Sequence, residues 1–123
     1  MDDFTRPMRR IKWVGSSLKD LRKFPEEVQK DMGDELQLFQ YGTKSQNAKS
    51  FKGVGSGVFE IALRYDTDAY RSVLAVQIAE DIYVLHCFKK KSKSGIATPK
   101  QDVDLVKQRY KIAVDDEKKE KTK

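Results

Sequence analysis

Three short apolar segments between residues 58 and 88, separated only by turn residues, constrain this chain more than any other feature. In residues 58–65, Phe59, Ile61 and Leu63 alternate with Glu60, Ala62 and Arg64. This is the period-two pattern of a strand that turns one face to a core. Asp66-Thr67-Asp68 supplies a turn, and residues 70–78 follow with a long apolar face at Leu74, Val76 and Ile78. Glu80-Asp81 makes a second tight turn before the apolar run at residues 82–88. Connections this short leave no room for a crossover, so the three strands are expected to form an antiparallel meander.

The flanks must cover that meander. Residues 9–14 read as a short first strand with Ile11 and Trp13 on one face, broken by Gly15. Ser16 or Ser17 can cap a helix carrying Leu18 and Leu21. Phe24-Pro25 opens a second helix, with Glu26 and Glu27 in its first turn where the dipole favours negative charge. Val28, Met32, Leu36 and Phe39 give that helix an amphipathic stripe, and Gly42 ends it. Residues 43–57 are polar and glycine-rich and read as a loop. Beyond the meander, Thr98 with Gln101 forms a capping-box pattern, Pro99 suits a first helical position, and Val103, Val106, Tyr110 and Ala113 make a helical stripe. The expectation is an α+β fold in one small domain: a mostly antiparallel sheet of about four strands, an N-terminal helical hairpin and a C-terminal helix. Residues 1–8 read as a flexible leader, 9–114 as the domain and 115–123 as a charged flexible tail. With helices on one face, the opposite face would be at least partly open and would carry Glu60 and Arg64.

Composition limits the partners. The chain has 123 residues, 38% hydrophobic and 36% charged, with net charge +6 and a pI near 9.4. That balance favours a polyanion such as RNA, DNA or a ribosome, with an anionic membrane surface as the weaker choice. No apolar run approaches the ~20 residues needed to span a bilayer. Met1-Asp2-Asp3-Phe4 lacks the order of a signal peptide. The single Cys87 cannot form an internal disulfide, which points to a reducing cytoplasm. One histidine and one cysteine are too few for a structural zinc site, and neither a metal nor a cofactor is expected.

The chemistry-bearing residues are mostly basic. After residue 88 the apolar run stops in Lys89, Lys90, Lys91 and Lys93, with no carboxylate before Asp102, and the only histidine, His86, sits at the changeover. Gly53, Gly55 and Gly57 match neither a dinucleotide fingerprint nor a P-loop. Asp66 with Asp68 is ordinary turn chemistry. Metal-free RNA cleavage needs a base for the 2′-OH, charge stabilisation at the phosphorane and an acid for the leaving 5′-oxygen. Lysine and arginine serve the second task, and histidine, tyrosine or a lysine of lowered pKa the others. Lys49 and Lys52, Arg64, Tyr70 and Arg71, and the segment from His86 to Lys93 could meet on one surface. Each has a plainer alternative. The lysines can be a solvated surface, and Cys87 a small buried apolar group. His86 can be a hydrogen-bonded core residue, Tyr70 and Tyr83 sheet residues, and Arg71 a partner of Asp66 or Asp68.

Several strings together resemble a known family. They are Ile11-Lys12-Trp13-Val14-Gly15-Ser16-Ser17-Leu18-Lys19-Asp20-Leu21, Phe24-Pro25-Glu26-Glu27-Val28, Lys49-Ser50-Phe51-Lys52-Gly53 and Val58-Phe59-Glu60-Ile61. Tyr70-Arg71, Tyr83-Val84-Leu85-His86-Cys87-Phe88-Lys89-Lys90-Lys91-Ser92 and Gly95-Ile96-Ala97-Thr98-Pro99 complete the pattern. In this order, over residues 9–115, they resemble the phage-derived, HigB-like branch of the RelE/ParE toxins. The resemblance implies a RelE-like fold and a toxin that cleaves mRNA in the ribosomal A site. It also implies neutralisation by a cognate antitoxin, often a helix-turn-helix protein. Carried over by position, it makes Lys52, Arg64, His86 and Lys90 the catalytic candidates. Lys49, Lys52, Arg71, Lys89, Lys90, Lys91 and Lys93 become the nucleic-acid contacts. A tyrosine near the C-terminus, used by RelE itself, has no clear match, since Tyr110 falls on the apolar stripe. His86, Tyr83 and the lysines therefore compete for the proton-transfer roles. The alternative class is a non-enzymatic binder: a ParE-like gyrase inhibitor or a phage-derived regulatory RNA-binding protein.

Overall fold

The computed structural model describes residues 8–91 and 98–121. Among them the order is β1 (Ile11–Trp13), α1 (Ser17–Leu21), α2 (Glu26–Gln40), β2 (Ala48–Ser50), β3 (Val58–Tyr65), β4 (Asp68–Ala75), β5 (Ile82–Lys91) and α3 (Lys100–Lys121). The sheet order is β1-β5-β4-β3-β2. All neighbours are antiparallel except β1, which runs parallel to β5 with Ile11 opposite Ile82. The leader of residues 1–7 lies outside the described residues.

Local chemistry sets the boundaries. The β3–β4 hairpin turns at Asp66 and Thr67, where Asp66 adopts φ 54°, a left-handed conformation that aspartate tolerates. Helix α2 closes with the paired bonds of a Schellman cap. Gly42 N–H donates to Phe39 O (3.0 Å) and Thr43 N–H to Leu38 O (2.9 Å), with Gly42 at φ 86°.

Two layers of side chains pack the sheet. On one face Leu21, Phe24, Val28, Met32, Leu36 and Phe39 of the α1–α2 region meet Ile61, Leu74, Ile82 and Val84. On the other, Val106 and Ala113 of α3 meet Val58, Val73, Ala75, Tyr83 and Leu85. The face expected to be open is therefore covered by α3 along much of its length. The odd-numbered partners Val73, Ala75, Tyr83 and Leu85 carried that signal, because a strand buried on both sides reads as a near-continuous apolar run.

Four further boundaries differ from the sequence expectation. The polar loop contains β2, a three-residue edge strand whose Ala48 is buried against the α2-side core. Strand β4 begins at Asp68 and ends at Ala75, two to three residues earlier than read, because Tyr65 pairs with Asp68 directly across the hairpin. Strand β5 continues through the first lysines, since Asp68, Ala69 and Tyr70 pair with Lys91, Lys90 and Lys89. At the other terminus α3 runs on to Lys121, so residues 115–121 are helical rather than a loose tail. Lys12 reaches Asp116 and Glu120 there. Among the described residues no helix is long and apolar enough to cross a membrane.

Ile61 is fully buried between β3 and the α2 side. Ile61→Ala should lower stability by about 2–5 kcal/mol through lost burial and the cavity left behind. Urea unfolding should show a reduced midpoint with an unchanged slope.

Candidate nucleic-acid interface

The α3-side face of the sheet changes character toward the β3–β4 turn. Register puts Glu60, Ala62 and Arg64 of β3 beside Val73, Arg71 and Ala69 of β4, and these beside His86, Phe88 and Lys90 of β5. Lys49 of β2 pairs with Glu60. Lys49, Arg64, Arg71 and Lys90 thus share one face, with Arg64 and Lys90 on either side of Ala69. Lys49 and Lys52 also line a hollow of about 300 Å³ whose other walls include Glu60, Thr98 and Val103. Four of the expected chain regions therefore converge here.

A β-bulge sets the position of His86. Val73 pairs with His86 and Leu74 with Val84, which leaves Leu85 without a partner on β4. Two successive side chains, Leu85 and His86, consequently serve the α3 side. The Leu85 carbonyl accepts a bond from Arg109 Nη1 (3.0 Å) on α3. His86 is 6% exposed and stacks on Phe88, with ring centroids 4.7 Å apart. Its Nε2 lies 2.7 Å from Asp102 Oδ1. A carboxylate only accepts, so Nε2 carries the proton. His86 Nδ1 is buried without a partner. The hydrogen-bonded packing role is thus realised, with α3 rather than the sheet supplying the acceptor.

Arg71 departs most from its expectation as an open phosphate contact. Its guanidinium donates from Nη1 to Glu60 Oε1 at 2.7 Å, and the two side chains are only 12% and 3% exposed. The partner is Glu60 on the neighbouring strand, not Asp66 or Asp68. The two sit diagonally, since Arg71 pairs with Ala62 and Glu60 with Val73. Thr98 Oγ1 donates to the other Glu60 oxygen (3.3 Å) from just ahead of α3. Glu60, Asp102 and Thr98 were not among the expected site residues. The available signal was a lone carboxylate, Glu60, inside an apolar strand.

Lys90 is 5% exposed. Burial pulls its pKa below the usual lysine value, and the nearby Arg71 and Lys49 charges push the same way, while Glu60 opposes them. Arg64 and Lys52 are exposed. Lys89 points the other way, with Nζ 3.8 Å from Asp68 Oδ2 on the α1–α2 side. Lys91 ends β5 opposite Asp68, and Lys93 lies outside the described residues.

The tyrosines do not join this cluster. Tyr70 faces α1 and α2, edge-to-face with Phe24 at 4.9 Å. Tyr83 is buried under the far end of α3, its hydroxyl 3.2 Å from Asp116, and burial raises its pKa. Tyr110 packs over Gly55, where a β-carbon would stand 2.5 Å from the hydroxyl. Cys87 is buried beside Ser72 (3.2 Å), and its thiol is pushed up to about 12 by burial. Among the described residues no three His, Cys, Asp or Glu side chains gather as a metal site would need.

A five-stranded α+β sheet with helices on both faces and cations gathered at one end makes this a small basic domain with a phosphate-compatible surface. The chain belongs to a phage-derived family, because the family model described as Phage derived protein Gp49-like matches residues 19–111. That stretch contains every described residue of the cationic cluster, from Lys49 to Asp102. No curated protein and no solved structure matches the chain.

Removing one partner of the Glu60–Arg71 pair leaves a buried charge uncompensated. Glu60→Gln should therefore cost about 3–5 kcal/mol, and Glu60→Leu with Arg71→Met should recover most of it. Thermal or urea unfolding of the three variants tests this. At pH 8 the native Cys87 thiol should react with a thiol reagent at least ~100-fold more slowly than in urea, since both thiolate fraction and access are reduced.

Proposed function

We propose that this Gp49-like protein is the toxin of a type II toxin–antitoxin pair, of the HigB-like branch of the RelE/ParE superfamily, and that it cleaves mRNA on the ribosome. The observation that carries the reading is that Lys49, Arg64, Arg71 and Lys90 share one face of the sheet, with Lys52 beside Lys49 on the wall of the adjoining hollow. The phage-derived family and the net charge of +6 support it.

In this mechanism the 2′-OH attacks the adjacent phosphorus and the 5′-oxygen leaves. Arg64, exposed at the β3–β4 end of this face, holds the phosphate and meets the charge that builds on its oxygens, while Lys52, exposed beyond β2 near the start of β3, takes the RNA backbone further along. Lys90, set beside Arg71 on the same face, is assigned the proton transfer, taking the 2′-OH proton and returning it to the departing 5′-oxygen, and the downward direction of its pKa favours that role. His86 is committed through Nε2 to Asp102, and its Nδ1 is enclosed. Its part is to hold the start of α3 against the cluster. The ribosome aligns the message, so the isolated protein needs little activity of its own. A cognate antitoxin, a helix-turn-helix protein on this reading, restrains the toxin in the cytoplasm.

Induction in growing cells should stop translation and produce mRNA ends phased to codons. Arg64→Ala should reduce cleavage by about 10²–10³-fold, the usual cost of losing one charge-stabilising group, while antitoxin binding persists. Lys90→Arg should lose activity despite keeping its charge, because a guanidinium does not give up its proton. Intact transcripts together with DNA-damage signalling would instead identify a gyrase poison.

A further inference from the structure

The opposite face of the same sheet end holds a second hollow that the proposed cleavage chemistry does not use. It measures about 300 Å³ and is lined by Asp20, Lys23, Phe24, Tyr70 and the β5 stretch from Cys87 to Lys89. Its size is at the small end of ligand sites, suited to one nucleotide rather than a folded segment. Phe24 and Tyr70 form one wall as an edge-to-face pair. At the rim Lys23 and Lys89 have side chains 69% and 47% exposed, each 3.8 Å from its carboxylate neighbour. That separation is too long for a hydrogen bond, so both ammonium groups can turn to a phosphate.

Asp20 supplies the selective element. Its Oδ2 accepts from Ser16 Oγ at 2.8 Å, whereas among the described residues Oδ1 has only the 3.8 Å approach of Lys23. One carboxylate oxygen therefore stands ready to accept an N–H from a base edge. Adenine, cytosine and guanine offer an exocyclic amino group, whereas uracil offers only its N3–H, flanked by two carbonyl oxygens that a carboxylate repels. Lys89 and Lys90 are successive residues of β5 and point to opposite faces, Lys90 into the cationic cluster and Lys89 to this hollow. The hollow and the cluster therefore lie back to back across the end of β5.

We propose that this hollow is a subsite for one unstacked, amino-bearing nucleobase of the RNA strand, with Phe24 and Tyr70 as its aromatic wall, Asp20 as acceptor and Lys23 and Lys89 on the adjoining phosphate. The assignment rests on the RNA-cleaving reading for its substrate and adds a second contact outside the cleavage cluster.

The purified full-length protein is titrated by NMR with AMP, CMP, GMP, UMP and, separately, inorganic phosphate. Saturable shifts are expected at the amides of Asp20, Lys23 and Cys87, with UMP weakest and inorganic phosphate giving only smaller shifts, at Lys23 and not at Asp20 or Cys87. Lys23→Ala with Lys89→Ala should weaken binding about tenfold at unchanged Tm, the loss of two charge contacts to one phosphate. Asp20→Asn should abolish the bias against UMP. Shifts confined to Lys49, Lys52 and Lys90, equal shifts with phosphate alone, or unaltered affinity in the double variant would overturn the subsite. The cleavage reading is checked apart from it by mapping mRNA ends in induced cells. Nucleotide binding in the hollow without any cuts would remove the nuclease and keep the subsite. Cuts without nucleotide binding, and with an unchanged base profile in Asp20→Asn, would remove the subsite and keep the nuclease.

Discussion

Everything in this fold is arranged around the enclosure of β5. It is hydrogen-bonded to β1 on one edge and β4 on the other, with α1 and α2 over one face and α3 over the second. A strand so placed can expose polar groups only where its neighbours end. The bulge at Leu85 is the one irregularity in its pairing with β4, and α3 answers it through Arg109, which also bonds Ser16 Oγ (3.0 Å). The cations at the end of β5 thus sit on a rigid support, where a charged side chain is held in place rather than left on a mobile loop.

The electrostatics of that end depend on a single buried carboxylate. Glu60 takes Arg71 on one oxygen and Thr98 on the other, with Lys49 as its cross-strand neighbour. It neutralises one cation internally and leaves the surrounding potential positive. Without Glu60, Arg71 and Lys90 would repel each other in a region that water barely reaches. With it, the fold tolerates a lysine of lowered pKa beside an arginine. Exposed Lys52 and Arg64 extend the field outward, where it can draw in an anionic partner.

Much of this was legible from residue order. The alternation in β3, the short turns and the Val28–Phe39 stripe located the meander and the principal helix, and the basic residues of β2, β3 and β5 did converge. What escaped was set by pairing rather than by local pattern. Strand β2 is too short to show a period and exists because β3 offers it an edge. Lys89 to Lys91 look like a solvated run, yet Asp68 to Tyr70 draw them into the sheet. The inward turn of Arg71 depends on a diagonal partner in another strand, and the acceptor for His86 comes from a helix sixteen residues on. No local window contains those relations.

The parallel pairing of β1 with β5 has a consequence for how the protein is made. Residues 11–13 leave the ribosome early but find their partner only when residues 82–84 have followed. Until then nothing joins β1 to the β2–β4 part of the sheet, and the apolar faces of α1, α2 and β1 have only part of their cover. Long-range closure of this kind slows folding and leaves the nascent chain exposed to misassembly. The basic cluster is completed later still, because Lys90 comes from the end of β5 and Asp102 from the first turn of α3. A chain interrupted before residue 82 is therefore not a weaker version of the protein. It is a fragment whose first strand has no partner and which lacks its principal charged surface.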